Sequence, residues 1–190
     1  TVNTPREFLD KVKTTDKPLN IALGSSGHKL AYEYMMHNIK GNRDLVKTIP
    51  FKGPAQAGQD VAGGHVEFGI IPVAVANILT QSGKIKIIAL CSEYKIDSIK
   101  NVPLMKDIIP GMNVYAAWGI ILPKNTDKDI VDWYVTNFTN AIRSNEGQRF
   151  LRENLMFAEP IEQTPHGFKA SMMKLRDQWI PIIKEVGWNN

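Results

Sequence analysis

The sequence has a single cysteine, Cys91, so no intrachain disulfide framework can hold it together. Cys91 lies in the apolar run KIKIIALCS, where a small core residue is expected rather than a nucleophile. Histidine is scarce too: His28, His37, His65 and His166 show no H-x-x-x-H spacing and there is no cysteine pair, so neither a metal site nor a cofactor is expected. Acidic residues are scattered, which leaves paired-carboxylate chemistry without support, and no catalytic residue is assigned. No apolar run approaches the ~18 residues of a membrane span, and the opening TVNTPREFLDKVK has no apolar signal-peptide core. The 23 Lys and Arg against 19 Asp and Glu give a net charge of +4 without any basic block or interleaved aromatics. Nucleic acid is therefore not an expected partner, while a basic cleft for a small anion remains compatible with the charge.

What is present is globular: 190 residues, 43% hydrophobic and 22% charged, enough for one domain or two small ones. The stretch LNIALGSSGHKLAYEYMMHNIKG, Leu19 to Gly41, organises the rest. It predicts a buried strand over 19–23, a turn at Gly24-Ser25-Ser26-Gly27 and a helix from about His28 to Lys40, with Gly41 at its C′ position. Leu30, Ala31, Tyr34, Met35 and Ile39 recur on one helix face, and Lys29, Glu33, His37 and Lys40 fall elsewhere. A strand entering a helix through Gly and Ser leaves the first helical N–H groups without intrahelical partners. Those donors, the two hydroxyls and the helix dipole suit a carboxylate or phosphate. The same residues also suit a tight connection with Ser as N-cap, and His28 could orient the loop, meet an anion or be structural. A P-loop is excluded because His28-Lys29-Leu30 is not Gly-Lys-Ser/Thr, and a nucleophile elbow because His28 follows Ser26 by two where Gly is needed.

Thr4-Pro5-Arg6-Glu7 predicts a capped helix carrying Phe8, Leu9 and Val12. Asp44 to Phe51 reads as a second strand, Lys52-Gly53-Pro54 as a junction or plain turn, Ala55 to Ala62 as a helix, and His65 to Ile71 as a third strand. A helix follows from Pro72 to about Ser82-Gly83, and Lys84 to Ser92 predicts a strand buried on both faces. Strands alternating with helices argue for a doubly wound, mostly parallel α/β sheet. Ligands of such sheets lie beyond the strands' carboxyl ends, where Gly24–Gly27 and Lys52-Gly53 both fall. Asn113 to Leu122 is aromatic and aliphatic and reads as extended. From Asp127 the pattern is helical, with a stripe of Ile130, Tyr134, Phe138, Ala141 and Ile142, and its Met and Trp residues are assigned to the core.

Taken in order, LNIALGSSGHKLAYEYM, IPFKGPAQAGQDVAGGHVEFGI, SGKIKIIAL, NVPLMKDIIPGM and WGIILPKNT, followed by terminal helices ending in WIPIIKEVG, resemble the tripartite tricarboxylate transporter substrate-binding proteins, the TctC or Bug family. The resemblance covers essentially the whole chain. It implies a periplasmic, type II solute-binding fold in which two α/β lobes close on a small carboxylated ligand, with membrane transporter subunits as partners. The implied ligand contacts are Ser25, Ser26, Gly27 and His28, with Lys52 and Gly53 in the neighbouring motif. Residues 1–115 would be the second lobe and 116–190 a mainly helical segment returning to the first. Relative to the family pattern the Ser/Gly turn is short, and a position often acidic is Ile71. On this mapping the chain begins where the second lobe begins, and the stretch that supplies half of the family's first lobe and the opposing ligand loop is absent from these residues, as is any signal peptide. The return segment is then expected to find a homo-oligomeric or swapped contact. Two rival functions are an effector-sensing domain of a transcription regulator, which shares the fold, and an enzyme using the Gly24–Gly27 turn. The second is disfavoured because no acid/base pair or activated nucleophile accompanies the turn.

Overall fold

The computed structural model describes residues 2–157, 159 and 163–187. The described residues fall into two compact units, one within Thr1–Ala116 and Glu185–Asn190, the other within Ala117–Lys184.

The first unit is built on three parallel strands, β1 (Leu19–Leu23), β2 (Val46–Pro50) and β3 (Phe68–Ile70), in the order β2-β1-β3. Ile21 stands opposite Thr48 on one side and Phe68 on the other. Helix α1 (Pro5–Thr14) starts as its sequence requires: Pro5 occupies the first turn, and the Thr4 hydroxyl accepts from the Glu7 N–H at 3.2 Å. Helix α2 (Ser26–Ile39) follows β1, α3 (Pro54–Ala62) follows β2, and α4 (Val73–Gln81) follows β3.

Period-two alternation along β1 sends Leu19, Ile21 and Leu23 to one face of the sheet, where they are buried with Phe8, Leu9 and Val12 of α1 and Ala31, Met35 and Met36 of α2. Ala22 faces the other way and is buried with Ala57 of α3 and with Val66. The sheet is thus covered on both faces, as expected of a doubly wound parallel sheet. Each large side chain of the main cluster contributes about 1.5–3 kcal/mol by leaving water. The α3 face is lined by small residues. A Cβ on Gly69 would stand 3.0 Å from Val61 Cγ2, and one on Gly24 only 2.6 Å from Pro54 Cα. Alanine at 22 and glycine at 24 and 69 let α3 lie close against the strands.

Several expectations need correction. The helix after β1 begins at Ser26, so Ser26, Gly27 and His28 are its first turn and the connection is only Gly24-Ser25. At its far end the left-handed residue is Lys40 (φ 51°), not Gly41. Gly41 is small for packing: a Cβ there would meet Met36 Sδ at 2.8 Å. Glu33, assigned away from the core face, is buried, with Arg43 as its ion-pair partner. Lys84 to Ser92 is not a strand buried on both faces. Lys84 and Lys86 are exposed while Ile85 and Ile87 are half-buried, so the K-I-K-I alternation outweighs the apolar run. Only Leu90 finds a bridge, parallel to Leu104, through Leu90 N–H to Pro103 C=O at 2.9 Å and Met105 N–H to Leu90 C=O at 2.8 Å.

The second unit contains residues 117–123, which belong to no helix or strand, and helices α5 (Lys128–Arg143), α6 (Asn145–Glu153) and nearly all of α7 (Pro165–Glu185). The predicted α5 stripe is there, but it faces solvent: Ile130, Tyr134 and Phe138 are exposed. Trp179 is buried as assigned; Trp133 and Met173 are exposed, against their assignment to the core. Trp188 lies outside the described residues.

Candidate functional site

Parallel strands place the N-termini of α2 and α3 at one end of the sheet, beyond the carboxyl ends of β1 and β2. The contact between Gly24 and Pro54 brings the two junctions side by side. This juxtaposition joins four of the six candidate residues, Ser25, Ser26, Gly27 and His28, on α2 to the other two, Lys52 and Gly53, before α3.

The donors at both junctions are open. Ser25 is the N-cap of α2 in extended conformation (φ −168°, ψ 170°), yet its side chain makes no capping hydrogen bond. Its Oγ is paired instead with His28 Nδ1 at 3.2 Å. The His28 N–H is taken by Ser25 C=O at 3.2 Å, whereas no acceptor among the described residues takes the Ser26 or Gly27 N–H. Ser25, Ser26 and Gly27 are exposed and His28 is half-buried. At α3, Gly53 is an extended N-cap (φ −171°) and Pro54 opens the helix without an N–H, so the free donors are those of Ala55 and Gln56. The sequence pattern predicts backbone donors at this junction but starts the helix at Ala55, one residue late, and gives no sign of the Gly24–Pro54 contact. Gly-Pro as N-cap and first helical residue was the available signal.

Glycine itself separates structural from ligand-facing positions. Gly24 is forced by Pro54, and Gly64 and Gly83 by positive φ. Gly27 and Gly53 have neither constraint. A Cβ on Gly27 would meet only Ser25 Oγ, at an ordinary 3.7 Å, and one on Gly53 would meet nothing within 4 Å. Inside a helix, where Gly27 stands, glycine costs about 0.5–1 kcal/mol relative to alanine, whereas at an N-cap such as Gly53 it is a favoured residue. Among the described residues nothing crowds a Cβ at Gly27 to offset that cost, and the bare backbone at both junctions leaves open space beside the helix N-termini.

The charge balance is positive. Two helix N-termini each present a partial positive charge, and Lys52 is exposed with no ion-pair partner among the described residues. Burial holds the His28 pKa below its ordinary value, so the ring is neutral at neutral pH and leaves the site's positive potential to the backbone and Lys52. Away from this site, burial pushes the Cys91 thiol up to about 11, which makes it a poor nucleophile. Among the described residues no three His, Cys, Asp or Glu side chains gather as metal ligands, and no helix is long and apolar enough to cross a membrane.

Residues 1–188 match the family described as tripartite tricarboxylate transporter family receptor. The chain belongs to this TctC family. Among relatives, the UPF0065 protein in the gbd 5′ region of Cupriavidus necator is 26% identical over 184 residues, which is 92% of this chain and 55% of that protein. Among solved structures, an R. palustris protein with adipate has a TM-score of 0.82 at 20% identity, covering 98% of this chain and 62% of that one. A TctC solute-binding protein from Polaromonas has a TM-score of 0.78 at 24% identity, over 97% and 62%. The fold is therefore that of TctC-type solute-binding proteins, and the chain spans only about half to two thirds of the length of the relatives it matches.

Proposed function

We propose that this TctC-family chain is the ligand-contacting part of a periplasmic receptor that captures a small organic carboxylate and presents it to the membrane subunits of a tripartite tricarboxylate-type transporter. In this reading Thr1 to about Tyr115 serves as the second lobe and residues 116–190 return to the first. The chain binds and releases; it performs no chemistry. The observation that carries the reading is the pairing of two open helix N-termini at the carboxyl end of the sheet, with Gly27 inside one of them where neither packing nor φ calls for glycine. A carboxylate seated there accepts from the Ser26 and Gly27 N–H groups and the Ser26 hydroxyl. Gly53 gives it backbone-close access, and Lys52 adds a full positive charge. The Ser25–His28 pair keeps the N-cap hydroxyl from closing the site. Adipate, held by the R. palustris relative, is a suitable first probe.

Gly27→Ala provides the test. Alanine fits the space and improves the helix, so thermal stability holds or rises while adipate affinity, by titration calorimetry, is expected to fall about tenfold or more, equivalent to ~1.4 kcal/mol. Unchanged affinity in Gly27→Ala would place the carboxylate elsewhere. A homo-oligomeric or swapped contact through the C-terminal segment would cover the apolar surface of that segment.

A further inference from the structure

The carboxyl end of the sheet differs in chemistry on the two sides of β1. This strand is the central one, and its last residue, Leu23, stands opposite Pro50 of β2 on one side and Ile70 of β3 on the other. The residues that follow, Gly24-Ser25, Phe51-Lys52 and Ile71-Pro72, therefore leave the sheet at one level. On the β2 side the chain offers the exposed ammonium of Lys52. On the β3 side it offers Ile70, Ile71, Pro72 and Val73, each half-buried, so part of every one of these apolar residues stays open.

Packing fixes the apolar side. Ile71 lies against the cluster of Ala22, Ala57 and Val66, and a Cβ on Gly58 of α3 would stand 3.3 Å from its Cδ1. Ile70 packs on the main cluster across the sheet. Acidic side chains are kept away from this end: residues 24–29, 51–57 and 71–77, which form the three strand-to-helix junctions, contain no Asp or Glu. Glu67 lies before β3, ~13 Å of extended chain from Ile71, and accepts from the Asn20 N–H at 3.3 Å. Asp60 stands in the last turn of α3, 3.9 Å from His65. Glu93 accepts from the Asn113 side-chain amide at 3.2 Å.

We infer that the site selects carboxylates whose chain beside the carboxyl group is plain hydrocarbon, and that it rejects α-amino acids. The inference rests on the carboxylate reading above and adds to it the class of ligand. With the carboxylate on the Ser26 and Gly27 N–H groups, the adjoining methylenes lie along Ile71, Pro72 and Val73 and leave water there. An ammonium on the first carbon would face two positive helix ends and Lys52. It would lose hydration against isoleucine, with no acid in the junctions to accept its hydrogen bonds.

Adipate and its diamino derivative, which carries an ammonium beside each carboxylate so that either end presents one, test the inference. Each is titrated into the isotope-labelled chain while the Ser26 and Gly27 amide resonances are followed. Adipate is expected to bind more tightly by about tenfold or more. Ile71→Asp supplies the missing acceptor and should cut the ratio to about threefold or less. Val73→Asp, in the first turn of α4 where an acid suits the helix dipole, makes the same test if Ile71→Asp does not fold. Equal affinities for the two acids at those amides, or a ratio unmoved by the acidic variants, would overturn the inference and leave the carboxylate site standing. Adipate that leaves Ser26 and Gly27 unmoved would overturn the carboxylate reading itself, and the inference with it.

Discussion

Ser25, His28 and the glycines decide between a structural turn and a ligand site. An N-cap serine ordinarily spends its hydroxyl on the helix, an interaction of about 1 kcal/mol. Here the hydroxyl is turned to the His28 ring, and the backbone donors behind it stay open. His28 has a measurable consequence through proton linkage. Its folded-state pKa lies below its unfolded value, so the unfolded chain binds more protons between the two, and stability falls as the pH drops through the ordinary histidine range. Denaturant midpoints should therefore decline on acidification more steeply for the native chain than for His28→Gln. Equal slopes would mean that the ring is not desolvated as the structure has it. The sequence named Ser25, Ser26, Gly27 and His28 because a Gly/Ser junction before an amphipathic helix is a local pattern. It could not show which glycine is forced by packing, since Gly24 meets Pro54 across thirty residues of chain.

Among the elements, the β1–α2 junction carries four of the six candidate residues, and buried contacts from the middle of α2 hold that helix in place. The Tyr32 hydroxyl donates to the Val46 carbonyl at 2.8 Å, and Glu33 is buried beside the Arg43 guanidinium. Desolvation, then the Glu33 charge, raise the Tyr32 pKa, with Arg43 opposing. Removing Arg43 leaves a carboxylate without its counter-charge. Arg43→Ala should cost ~2 kcal/mol in chemical denaturation, less than the loss of a fully buried pair because its side chain is 42% exposed. A loss under ~0.5 kcal/mol would show that Glu33 is rehydrated or neutral. Strand and helix order through α4 was legible because periodicity changes from two to nearly four at Gly and Pro punctuation. Burial was less legible. Glu33 reads as solvent-facing until a partner ten residues away is placed beside it. Lys84 to Ser92 reads as a two-sided strand although sheet partners, which lie far off in sequence, decide whether a ladder forms. The α5 stripe is apolar as its periodicity predicts, yet Ile130, Tyr134 and Phe138 are exposed, because periodicity marks an apolar face and not what packs on it.

At the scale of the molecule, the two units divide the work. The first holds a doubly wound sheet with two helix N-termini turned to a common end. The second carries exposed apolar side chains on α5, Ile130, Trp133 and Phe138 among them. On the proposed reading the donors that hold a carboxylate all lie on the first unit, so binding by the 190-residue chain should be weak and local. Amide chemical shifts read weak, local binding directly. Adipate titrated into the isotope-labelled chain should move the amide resonances of Ser26, Gly27, Gly53, Ala55 and Gln56 together, along one saturating curve, while the neutral diamide of adipate leaves them in place. Shifts confined to other residues, or equal responses to the acid and the diamide, would contradict carboxylate capture at the paired helix N-termini.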